Sequence, residues 1–67
     1  MYELHDLVKV IKADDDLKDF IGEEGIIINK LKYGCYPYEI LFFNKVARET
    51  NKRQDGWLWN NEQIEGL

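Results

Sequence analysis

Sixty-seven residues, 45% of them hydrophobic and 13% aromatic, suffice for one domain with a working core and leave no room for a second. The formal charge of −4 disfavours a polyanion as default partner, because neutralised phosphates dominate such binding. A single cysteine, Cys35, excludes an intrachain disulfide.

Leu7-Val8-Lys9-Val10-Ile11-Lys12 opens the fold as a strand, β-branched and with Val8 and Val10 on one face. Asp14-Asp15-Asp16 stops it, since consecutive aspartates are poor strand formers. Asp is also a favoured helix N-cap, so Asp16–Phe20 is expected to make one helical turn inside a long first loop. Gly22 and Gly25 bracket Glu23-Glu24, and a second strand runs from Gly25 to Leu31. Its consecutive Ile26, Ile27 and Ile28 predict cover on both faces. Lys32–Pro37 is a turn, and Tyr38–Phe43 a third strand with Tyr38, Ile40 and Phe42 on one side.

The middle of the polar tract Asn44–Gly56, Val46-Ala47-Arg48-Glu49, has room for a helical turn, but 3.6-residue apolar periodicity is missing and the tract is expected to be a mobile loop. Gly56 opens a fourth strand, Trp57–Asn60. Asn61-Glu62-Gln63 reads as a helical turn and Ile64–Leu67 as the fifth strand. Five short strands in one domain, 1–67, predict an all-β fold that closes on itself to hide its edges.

The layout resembles a small five-stranded SH3-like barrel. The resemblance rests on a Leu-Val-Lys-Val strand, a long first loop and a Gly-x-x-Gly-x-Ile segment. It continues through Tyr-Glu-Ile-x-Phe and an ending of Trp, helical turn and Ile-Glu. Gly22-Glu23-Glu24-Gly25-Ile26-Ile27 is similar to the core of the KOW motif. The chain departs from signalling SH3 domains, with no Ala-Leu-Tyr-Asp-Tyr run and no Ser-x-x-Tyr pattern near the end. The resemblance implies the barrel and not polyproline recognition.

No residue set has the chemistry of a catalytic, metal or cofactor site, so the expectation is a non-enzymatic protein without a cofactor. Asp14, Asp15, Asp16 and Asp19 do not alternate as calcium ligands do, and Asp19 stands where a calcium loop needs glycine. His5 and Cys35 are single members of types that metal sites use in threes or fours. Met1 is not followed by a basic and then apolar run, and no apolar stretch nears the roughly 20 residues of a membrane span. A cytoplasmic protein that stays off membranes is expected.

Binding is the remaining class. Trp57 and Trp59 share one strand face and Leu58 takes the other, so either the tryptophans or the leucine points into the core. With Leu58 inside, Trp57 and Trp59 beside Tyr33, Tyr36 and Tyr38 form an exposed aromatic patch of the kind that makes hot spots. Asp14, Asp15 and Asp16 then steer a basic partner. A second alternating set, Leu7, Ile11, Ile26, Ile28, Leu41 and Phe43, also needs cover by loops, a second copy or a partner.

These readings predict a protein-interaction module, an accessory or inhibitory protein of phage type by compositional analogy, acting on a larger macromolecular partner. The alternative is a KOW-type barrel that contacts nucleic acid through Lys45, Arg48, Lys52 and Arg53.

Overall fold

The computed structural model describes residues 2–32, 34–53 and 58–67, with Lys52 and Arg53 by backbone alone. Five strands, β1 (Leu7–Val10), β2 (Glu24–Lys30), β3 (Tyr38–Phe42), β4 (Leu58–Trp59) and β5 (Ile64–Gly66), form one sheet. Its order is β4-β3-β2-β1-β5, and every described pairing is antiparallel. No ladder joins β4 to β5 among the described residues, so the sheet is a curled half-barrel rather than a closed one. A small all-β half-barrel is compatible with the SH3-like expectation.

Strand alternation decides what goes inside. Val8, Val10, Ile27, Tyr38, Ile40, Phe42, Trp59 and Ile64 all point into the curl and are buried. Two features bend the sheet around them. Gly25 lets β3 approach β2 closely, and a register shift between Ile27 and Asn29 adds the local twist typical of a bulge.

The first loop closes the open side of the curl. A 3-10 helix over Asp15–Phe20 carries Leu17 and Phe20, three residues apart, into the core. Asp14 makes no side-chain cap bond, so the helix is held by what it buries. Phe20 lies 5.2 Å from Phe42 and 5.4 Å from Trp59 between ring centroids, and Phe42–Trp59 is 5.9 Å. Such tilted and edge-on packing contributes about 0.5–1.5 kcal/mol per pair beyond area burial. Gly22, at φ 94°, returns the chain to the sheet, where its N–H donates to Val10 O at 2.8 Å.

The tract expected to be a mobile loop is instead largely a helix, α1 (Lys45–Arg53). Asn44 Oδ1 accepts from the N–H groups of Val46 (2.8 Å) and Ala47 (3.2 Å), satisfying donors at the helix start. The helix turns Ala47 and Asn51, four apart, towards the body while Val46 stays exposed. A small residue and an amide make no apolar stripe, which is why periodicity missed it. Gly56 and Trp57, expected at the start of β4, lie outside the described residues.

The turn before β5 is built by reciprocal hydrogen bonds. Asn60 Oδ1 accepts from Glu62 N and Gln63 N, each at 3.0 Å, and Gln63 Oε1 accepts from Asn60 N at 3.0 Å. Asn-x-x-Gln thus works as a capping box. The Gln63 carbonyl then accepts from Ile11 N (2.8 Å) and Lys12 N (3.2 Å), tying the turn to the end of β1. Asn60→Ala is expected to cost about 1 kcal/mol, read as a lower urea midpoint with unchanged slope. An unchanged midpoint would show that the box is ornamental.

Tyr2 and Tyr38 fasten the chain's first residues to the last strand. The Tyr38 hydroxyl donates to Asn61 Oδ1 at 2.7 Å and accepts from Tyr2 N at 3.1 Å. Tyr2 Oη donates to Ile64 O at 3.3 Å. Tyr38→Phe removes the first two bonds without opening a cavity, and is expected to cost about 1–2 kcal/mol in chemical denaturation. A loss under about 0.3 kcal/mol would mean that water replaces the hydroxyl freely.

Candidate functional site

The register that orders the core also decides the fate of the aromatic residues. Tyr38 pairs with Trp59 across β3 and β4, and because Tyr38 faces inward so does Trp59. Both are fully buried, at 0% exposure. This corrects the exposed aromatic patch: Tyr38 and Trp59 are core residues, and Leu58 is half-buried on the opposite side. Tyr36 is exposed, while Trp57 and Tyr33 lie outside the described residues.

Asp14, Asp15 and Asp16 are exposed around the start of the 3-10 helix. Asp15 pairs with Lys18 at 3.0 Å in a largely solvated i,i+3 contact, worth little to stability. Asp14 and Tyr36 come together, since both line an open cleft of about 200 Å³ with Lys12, Ala13, Asn60, Glu62 and Gln63. A second groove of about 260 Å³ runs between the first loop and α1, lined by Asp19, Phe20, Glu23, Asn44, Val46, Ala47 and Thr50. Both are open to solvent. On α1, Lys45 and Arg48 are exposed and three residues apart on the helix surface. The Lys52 and Arg53 side chains lie outside the description.

Among the described residues no three His, Cys, Asp or Glu side chains gather as metal ligands, and no helix is long and apolar enough to cross a membrane. Cys35 is exposed and unpaired, and His5, at φ 73°, sits in a tight turn with its N–H donating to Ile27 O at 2.8 Å.

A further feature lies on the outside of the sheet. Leu7 is opposite Ile26 on β2, and Ile26 is opposite Leu41 on β3. Leu67 joins at the other end, donating its N–H to Leu7 O at 3.0 Å. Three strands and the residue that follows β5 therefore carry one continuous row, Leu67-Leu7-Ile26-Leu41. Leu67, Leu7 and Leu41 are 61%, 48% and 39% exposed, and Ile26 is half-buried. Phe43, 54% exposed, and Ile28, 44% exposed at the bulge, stand beside the row. The 3-10 helix and α1 cover the inner side instead, through Leu17, Phe20 and Ala47.

No protein-family model matches the chain, and neither a curated protein nor a solved structure does. The sequence already marked Leu7, Ile26, Leu41 and Phe43 as a surplus set. Their fusion into one row depends on strand register, which no single-strand pattern contains.

Proposed function

We propose that this chain is a non-enzymatic protein-interaction module, an accessory or inhibitory protein that docks on a larger macromolecular partner through its outer sheet face. The observation that carries the reading is the continuous row Leu67-Leu7-Ile26-Leu41, left open by every described loop and helix. Scattered surface leucines need no explanation, but contiguous apolar side chains ringed by charge mark interaction surfaces. The fold reading that accompanies it is the SH3-like barrel, supported by the strand order and by the helical first loop over the open side.

The test is comparative capture. Leu7→Thr with Leu41→Thr keeps β propensity and touches exposed positions, so the melting temperature is expected to hold. A partner retained by the wild type and lost by this pair supports the reading. A partner captured equally by both removes the outer face from the function.

The nucleic-acid alternative has one observation in its favour: Lys45 and Arg48 stand together on the exposed side of α1. It predicts a salt-dependent shift with single-stranded RNA or DNA that Arg48→Ala weakens. No shift in dilute salt would eliminate it.

A further inference from the structure

The charges framing the outer row indicate what its partner must carry. In the row next to it, Glu65, Lys9 and Glu24 stand side by side across β5, β1 and β2. Phe43 completes that row, its N–H donating to Glu24 O at 3.0 Å. The far flank holds Glu39, opposite Asn29 and Leu58. Lys9, the one ammonium of this face among the described residues, is 3.7 Å from Glu65 Oε1. Glu24 and Glu39 have no ion-pair partner among the described residues. Among the described residues the apolar row is thus bordered by three carboxylates and one ammonium.

Resting on the docking reading above, the geometry points to a protein segment whose apolar ridge is flanked by arginine, with one guanidinium laid over Phe43 and paired to Glu24. Arginine suits this corner better than lysine. Its planar fork meets a carboxylate with two donors while its face stacks on an aromatic ring, and it sheds water more readily than an ammonium. Glu39 and Glu65 offer the same charge along the flanks. A second copy of the chain fits worse: each copy brings three carboxylates and one ammonium, so stacking two outer faces doubles the acidic excess at the rim of the contact. Like charges across an interface suppress pairing.

Three synthetic amphipathic peptides with one leucine ridge, flanked by arginine, glutamine or glutamate, test this by titration into the isotope-labelled full chain. The arginine peptide is expected to shift the amides of Leu7, Ile26 and Leu41 and to bind roughly tenfold tighter than the glutamine peptide, a gain that fades in high salt. Phe43→Leu should weaken the arginine peptide and leave the glutamine peptide unchanged. Glu24→Arg, checked by melting, should reverse the preference in favour of the glutamate peptide.

Equal binding of all three at the outer row overturns the arginine inference and leaves the docking reading standing. Failure of every peptide to reach that row overturns both. Shifts centred on Asp15–Asp19 reduce the effect to bulk charge attraction and overturn the proposal. Sedimentation of the chain alone as a dimer that Leu7→Arg dissociates gives the face to a second copy and overturns it as well.

Discussion

Trp59→Ala should abolish cooperative folding. The indole is fully buried, and its ring packs edge-on against both Phe20 and Phe42, at 5.4 and 5.9 Å. Truncating a core tryptophan costs about 3–5 kcal/mol, and a domain this small holds on the order of 5 kcal/mol in total. The loss would fall on two elements at once. Phe20 is the anchor of the 3-10 helix, and that helix has no side-chain cap to hold it when its packing goes. The expected result is a flat or strongly lowered thermal transition by circular dichroism, with near-ultraviolet aromatic signal lost. Trp59→Phe should be much milder. The indole Nε1 is buried with no hydrogen-bond partner among the described residues, so phenylalanine gives up volume but no satisfied donor. A Trp59→Ala chain that melted with the wild type would place this side chain outside the core.

The direction of Trp59 also shows where sequence reasoning reaches its limit. Alternation along Trp57-Leu58-Trp59 says that the tryptophans and the leucine part company, and nothing local says which goes inside. The choice is made on another strand, because Trp59 pairs with Tyr38 and Tyr38 shares a face with Ile40 and Phe42. Strands with a long alternating signal were legible on their own: Val8 with Val10, and Tyr38 with Ile40 and Phe42. The turn at Asp16–Phe20 was legible from its aspartates, but the burial of Leu17 and Phe20 was not, since two apolar residues three apart fit a loop as well as a lid. Helix α1 was hidden by the modesty of its buried face, Ala47 and Asn51, so that only a single turn at Val46–Glu49 could be entertained, and the cap at Asn44 emerged with the structure. The candidate site divided in the same way. Its members Leu7, Ile26 and Leu41 could be named from alternation, whereas their alignment is a property of two strand registers that tertiary packing sets.

Those registers depend on Gly25, and the second large effect is expected there. Gly25 has no need of unusual backbone angles; its role is spatial. A Cβ at this position would stand 2.5 Å from Leu41 O, 2.7 Å from Ile40 Cγ2 and 3.0 Å from Leu41 C. The isoleucine methyl can rotate aside at some cost, but a ladder carbonyl cannot. Gly25→Ala must therefore push β3 away from β2 where Gly25 meets Phe42 and Ile26 meets Leu41. Ordinary overpacking costs about 1–3 kcal/mol, and a clash with backbone belongs at the upper end or beyond it. The expected change is a fall of about 3 kcal/mol in urea denaturation, with faster hydrogen exchange at the β2–β3 ladder amides. Gly66→Ala is the matched control, because its Cβ would meet only Tyr2 Cε1 at 3.5 Å, an ordinary contact. That variant should stay within about 0.5 kcal/mol of wild type. Equal stability of the two variants would mean that β3 has room to retreat. Unequal stability, with the outer face disturbed only in Gly25→Ala, would tie the apolar row to the closeness of β2 and β3, since Ile26 and Leu41 flank the residue that permits it.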